Sequence, residues 1–185
     1  ANMVRGAVSF EAAQPLYRQA LELGPTYGHA AVVYAASLIA CEDAEEAYRI
    51  IAPYGRKKQR DREVDMCLAQ SLAMLGHSGE ARAPLLRAIS TFTSVPPEKL
   101  LPNAYPGRSR YYAATRHKTF GQTWERMGEL EDARRHYNMT IGLLQPMADR
   151  GEINDAEIAK ALWGLERCAV QERTGKPVPL EIWEY

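Results

Sequence analysis

FGQTWERMGELEDARRHYNMTIGLLQP, Phe120 to Pro146, carries the spacing on which the fold turns. Its Ala133, Tyr137 and Thr140 stand in the order small, three residues, large, two residues, small. Steps of three and four residues return to the same side of an α-helix, so these positions share a face. The arrangement recurs upstream as Ala81, Leu85 and Ala88, 34 residues before that as Ala47, Ile51 and Tyr54, and 34 before that as Ala13, Tyr17 and Ala20. From Ala81 to Ala133 the displacement is 52 residues, one period of 34 plus an insertion of 18. A preceding helix keeps the same period, with Tyr34-Ala35 and Leu38 repeated as Leu68-Ala69 and Leu72. Short turns separate the two helices, Glu42-Asp43 in one unit and Gly76-His77-Ser78-Gly79 in the next. Gly76 is an efficient stop because glycine tolerates the left-handed conformation in which helices often end. Each unit therefore reads as a helical hairpin.

The insertion falls in Ser94 to Tyr112, where Pro96, Pro97, Pro102, Pro106 and Gly107 disfavour a continuous helix. Its Arg108-Ser109-Arg110-Tyr111-Tyr112 stretch either adds a functional element or lengthens the next first helix, with Ser109 as its cap. Pro15, Pro53 and Pro84 enter second helices, and Pro53 is expected to end its helix near Gly55.

The copy with Phe120-Gly121, Trp124, Ala133, Tyr137 and Pro146, together with the stretch FEAAQPLYRQALELGP from Phe10 to Pro25, resembles the tetratricopeptide repeat family. The resemblance implies an all-α fold, a right-handed superhelix of antiparallel helix pairs closed by a C-terminal capping helix. Units are placed at about 1–27 (second helix only), 28–61, 62–95 and 114–147, with the insertion at 96–113, the cap at 153–174 and a tail at 175–185. Asp65 departs from the pattern where a large aromatic is expected, and Tyr54 where a small alanine is. In the cap, Ile158, Ala161, Leu162, Leu165 and Ala169 fall on helical spacing, begun by Asn154 or Asp155 and stopped by Gly175 and Pro177. Such stacks need a terminal cover because each repeat buries its face only against a neighbour. Trp163-Gly164 echoes Phe120-Gly121, as if opening a further incomplete unit.

Composition narrows the function. Lysine plus arginine equals aspartate plus glutamate, 23 of each, so no global field favours nucleic acid or an anionic membrane. No apolar run approaches the ~20 residues of a membrane-spanning helix. Cys41, Cys67 and Cys168 are odd in number and outside metal spacing, and read as small buried hydrophobes of a reducing, cytoplasmic compartment. Ala1-Asn2 ahead of Met3 suggests a cloning remnant or a cut from a longer chain, in which case a targeting segment would lie upstream. The basic run Arg56 to Arg62 reads as a solvated loop partly neutralised by Asp61 and Glu63.

No catalytic residue, metal site or cofactor is expected. His29, His77, His117 and His136 form no His-x3-His pair; His77 lies in a glycine turn, His117 at a first-helix packing position, and His136 just before Tyr137. Cys67 reads as a structural thiol without a neighbouring base. An enzyme would need a deep pocket with convergent polar groups, best placed near Tyr105 to Tyr112.

The resemblance also implies that first helices line an inner, concave face. The positions that align are His29, Val32, Ala36 and Ile39, then Glu63, Met66, Gln70 and Ala73, then Thr115, Lys118, Gln122 and Glu125. His29, Val32, Ala36, Met66, Gln70, Lys118, Gln122 and Glu125 are the candidate binding residues. Some family members clamp a partner's terminal carboxylate with lysine and asparagine. Lys118 could occupy one clamp position, but Gln122, Val33, Cys67 and Thr119 depart from the rest, so that specificity is not expected. The function implied is a scaffold binding a protein or peptide in the groove; the alternative is a regulatory sensor of a larger signalling protein, binding a peptide or small ligand. The apolar tail, Pro177 to Tyr185, is expected to fold back on the last helices, with docking in a second copy to give a homodimer as the alternative.

Overall fold

A computed structural model describes residues 10–24, 28–56, 63–101, 104 and 106–178. The lysines of the basic run, most of the apolar tail, and Tyr105 lie outside these residues. Among them are eight α-helices: α1 Phe10–Leu23, α2 Gly28–Ala40, α3 Ala44–Gly55, α4 Val64–Met74, α5 Ser78–Thr93, α6 Pro106–Arg126, α7 Leu130–Ala148 and α8 Ala156–Thr174. A single 3-10 turn spans Pro97–Lys99. This is the all-α helical-repeat fold that the resemblance implies, built from the hairpins that the spacing predicts. The chain divides into two compact units, Ala1–Ala88 and Ile89–Tyr185.

The repeat shows first in the turns. Glu42, Gly76 and Gly128 occupy the same register and all adopt positive φ, at 62°, 77° and 81°. In each hairpin the residue after it donates its N–H five residues back, Asp43 to Leu38, His77 to Leu72 and Glu129 to Trp124, at 2.9 to 3.0 Å. The left-handed residue itself donates three residues back, to Ile39, Ala73 and Glu125. Paired bonds of this kind satisfy carbonyls that a helix end would otherwise orphan. Two of the three turns use glycine, for which positive φ carries no Cβ penalty; Glu42 adopts it at a cost.

In the first unit, Tyr34, Ala35 and Leu38 of α2 and Ala47 and Ile51 of α3 are all fully buried and pack with Val64 and Cys67 of α4. The Tyr34 ring stacks on Tyr17 of α1 at 5.1 Å between centroids. The Asp65 departure has a structural reason: its buried carboxylate receives the Arg87 guanidinium of α5, with Nη2 to Oδ1 at 3.0 Å. An ion pair within the repeat stands where an aromatic is usual. Pro53 lies inside α3, which ends two residues later at Gly55, as expected.

In the second unit, α7 lies between α6 and α8. Tyr137 is fully buried, and Gly121 of α6 and Gly164 of α8 both make room for its ring. A Cβ at Gly121 would come within 2.9 Å of the ring, and one at Gly164 within 2.4 Å. The echo of Phe120-Gly121 in Trp163-Gly164 is therefore a packing requirement, since only glycine lets either helix approach a phenol so closely.

Several sequence expectations are corrected here. Of the two readings of the Arg108–Tyr112 stretch, the structure shows the one in which it lengthens the next first helix: α6 begins at Pro106, so the last eight residues of the insertion form two turns of helix. Ser109 is not a cap. It lies inside α6, buried, and its Oγ accepts the Leu101 N–H at 2.9 Å. In α8, Leu162 is half exposed, whereas Arg167 is buried. Cys41 is exposed; Cys67 and Cys168 are buried as expected. Asp155 occupies the cap position of α8, but it is Asn154 Oδ1 that accepts the Ala156 N–H.

Candidate functional site

A helix packed on one side leaves a complementary stripe open, and in each unit the stripe on its first helices is a candidate surface. On α2 the exposed residues His29, Val33, Ala36 and Ala40 follow one another at steps of four, three and four. Val32 points the other way, only 3 % exposed and packed in the core of the first unit. The expected register was thus one residue off at this position, and Val33 replaces Val32 on the open face. On α4, Met66 is 2 % exposed and likewise belongs to the interior, while Gln70 is half-buried.

On α6 the accessible line runs through Arg108, Tyr111, Thr115, Lys118, Gln122 and Arg126. Lys118 reaches α8, where its Nζ lies 2.5 Å from Glu157 Oε2. Burial pushes the Glu157 carboxyl up, but Lys118 and Lys160 outweigh it and hold it below the usual range. Lys118 is therefore already matched by an anion, which counts against a carboxylate clamp.

Glu125 is the clearest correction. It is 5 % exposed and faces the interior of the second unit, where it forms a two-point ion pair with Arg167. Arg167 Nε lies 2.7 Å from Oε1 and Nη2 lies 2.9 Å from Oε2. The Tyr137 hydroxyl donates to Oε2 at 2.5 Å. This triad joins α6, α7 and α8, each partner satisfying the others, as a buried charge requires. Spacing along one helix cannot reveal a partner 42 residues away, though the Trp163-Gly164 echo marked the right part of α8.

The same unit brings together two histidines that no local motif linked. His117 and His136, on opposite sides of the Gly128 turn, place their Nδ1 atoms 3.0 Å apart with ring planes 24° from parallel. One Nδ1 must carry a proton and the other accept it. Burial lowers the pKa of His117; burial, then the His117 and Arg135 charges, lower that of His136 to about 4. Both rings are therefore neutral at pH 7. Among the described residues no group of three or more His, Cys, Asp or Glu is placed to hold a metal ion. Burial and the nearby Glu125 raise the Cys168 thiol to about 11, far from a reactive thiolate at neutral pH.

Next to the histidines the insertion borders a half-open cavity of about 300 Å³, lined by Phe92, Pro96, Pro97, Leu100, Arg116, His117 and Phe120 among others. A wider cleft of about 650 Å³ opens beside Arg108, Tyr111 and Glu152. The region around Tyr111 thus holds an accessible concave surface, while the space against Phe120 is the less open of the two.

Residues 9–71 match the family model of the tetratricopeptide repeat. The match runs from the start of α1 into α4 and lies within the first unit. Tetratricopeptide repeats generally mediate protein–protein interaction and are typically non-catalytic. Among curated proteins and among solved structures, no match is found. No described helix is long and apolar enough to cross a membrane.

Proposed function

We propose that the chain is a protein-interaction scaffold whose tetratricopeptide-type first helices hold a peptide or protein segment on their open faces. The observation that carries this reading is the α2 stripe of His29, Val33, Ala36 and Ala40 within the matched span. It offers small and branched apolar side chains without covering them, with Val33 37 % exposed. Small residues let a bound backbone approach, and Val33 supplies an apolar anchor. Gln70, on the second hairpin of that unit, adds an amide able to bond a peptide backbone. In the second unit, Thr115 and Gln122 flank the Lys118–Glu157 pair and form a more polar surface.

The test is affinity capture from a native extract, with the wild type beside Val33→Asp and with Gln122→Arg as a second-unit variant. Circular dichroism first establishes that each variant is folded. A partner held by wild type and lost on Val33→Asp supports the α2 face. Retention by Val33→Asp with loss on Gln122→Arg moves the site to α6. Equal retention by all three proteins would overturn the reading.

A further inference from the structure

In a complete hairpin the second helix is covered by its own first helix. On α7, His136 meets His117 of α6, and the Thr140 hydroxyl donates to the Ala114 carbonyl of the same helix. The corresponding register holds Pro84 and Ala88 in α5, and Ile50 and Tyr54 in α3. Pro84, Ala88 and Tyr54 are buried, and Ile50 is half-buried against the core of the first unit. In α1 the same two positions are Leu16 and Ala20, and there the burial is lost. Leu16 is 64 % exposed, Ala20 is exposed, and Leu23, the next position on that face, is 81 % exposed. Tyr17 on the adjoining face is stacked on Tyr34 of α2. So α1 is packed against the helix that follows it and open on the side where a first helix belongs.

The other unit presents the converse. Helix α8 packs on α7 as α4 packs on α3, in the place of the first helix of a following hairpin. It makes that contact through Gly164 on the Tyr137 ring. On another face Leu162, Leu165 and Ala169 follow at steps of three and four. Leu162 is 51 % exposed and the other two are half-buried, so this apolar stripe stays open where a second helix would lie. The charges beside it, Glu166 and Arg173, pair with each other at 3.6 Å, and covering the stripe would strand neither.

We propose that the chain self-associates head to tail, with α8 of one copy lying antiparallel on α1 of the next as the first helix that α1 lacks. The two stripes are the halves of one hairpin, a second helix without its first and a first helix without its second. Both combine leucine with alanine; the alanines let the helix axes approach and the leucines fill the space beside them. The pairing continues from copy to copy the helix-on-helix packing that joins α6, α7 and α8 within one chain. Because the two surfaces differ, the contact is heterologous, and each copy can take one neighbour on α1 and another on α8. Neither stripe belongs to the open faces of α2 and α6. Self-association and the capture of a protein partner can therefore each fail alone.

The experiment is analytical ultracentrifugation of the full chain between about 10 µM and about 1 mM, because two single helices bury less than the roughly 1,200 Å² of a standard interface and bind weakly. The weight-average mass should rise with concentration above that of one chain. Leu16→Glu on α1 and Leu162→Glu on α8 alter exposed positions, and circular dichroism checks that both variants fold; Leu23→Glu replaces the first if it does not. Each variant alone should stay at the mass of one chain. Their equimolar mixture should approach twice that mass, because one variant keeps an intact α8 and the other an intact α1. Wild type at the mass of one chain at every concentration, association of either variant by itself, or a mixture that stays monomeric would each overturn the proposal. Association that appears only after removal of residues 179–185 would make the tail the occupant of α8, and would overturn it as well.

Discussion

Acidification should destabilise the second unit through the His117–His136 pair, by an amount that follows from its burial. His136 has a folded pKa of about 4, against about 6.5 for an unperturbed histidine in the unfolded chain. Its pKa is depressed, so the unfolded state holds more protons at every pH between those values. Stability is therefore fully present above pH 6.5 and falls as the pH is lowered toward 4. Integrating from pH 7 to pH 5 gives a loss of about 2 kcal/mol from this one group. His117, shifted in the same direction, adds to it. The charges and rings facing the pair are Arg135 on α7 and Phe120 on α6, and neither titrates in this window. Urea unfolding followed by tryptophan fluorescence reads the effect, because Trp124, Trp163 and Trp183 all lie beyond residue 89. With a slope of about 2 kcal/mol per molar, the midpoint should fall by about 1 M between pH 7 and pH 5. His136→Phe keeps a flat ring at the site but removes the proton. Its loss over the same range should be smaller than that of the wild type by about 2 kcal/mol. Parallel pH profiles for the two proteins would refute the assignment.

Other expectations follow from single contacts. Gly164→Ala should cost about 1–3 kcal/mol of stability, more than Gly121→Ala, because its added methyl meets the Tyr137 ring at the shorter distance; a reversed order in denaturant melts would mean that α8 yields more easily than α6. Glu125→Leu should cost about 3–5 kcal/mol by stranding Arg167 in the interior, and adding Arg167→Met should recover most of that; a double variant as unstable as the single one would contradict the reading of the loss as an uncompensated charge. Glu42→Gly should raise stability by about 1 kcal/mol by relieving the positive φ at the α2–α3 turn, measurable as a higher melting temperature. With a chromogenic disulfide at pH 8, Cys41 should react rapidly and Cys67 and Cys168 only after denaturation; prompt reaction of all three thiols would be inconsistent with their burial.

The periodic positions illustrate what a linear sequence carries. Spacing alone picks out Ala47, Ile51, Ala81, Leu85, Ala88, Ala133, Tyr137 and Thr140, which are all buried, and also Ala13, Tyr17 and Ala20 of α1, of which the first two are half-buried and Ala20 is exposed. Helix spacing is a local property, as is the need for a left-handed residue in a tight turn, so helices, hairpins and the Gly76 stop were legible without coordinates. The binding register was less so. Whether Val32 or Val33 faces outward depends on a rotation of about one residue around α2, set by contacts with α3 and α4 rather than by α2 itself. Glu125 falls where the resemblance implies groove surface, and only the approach of α8 gives it Arg167 and makes burial tolerable. Spacing puts the two histidines at packing positions, and both are buried. That they meet at 3.0 Å is decided by how α6 and α7 pair across the Gly128 turn. The amino-acid order thus determined which residues form helices and which faces are apolar, because those depend on neighbours three and four positions away. Tertiary packing alone decided which charges become a buried pair and where the insertion borders a cavity, because those depend on helices brought together from distant parts of the chain.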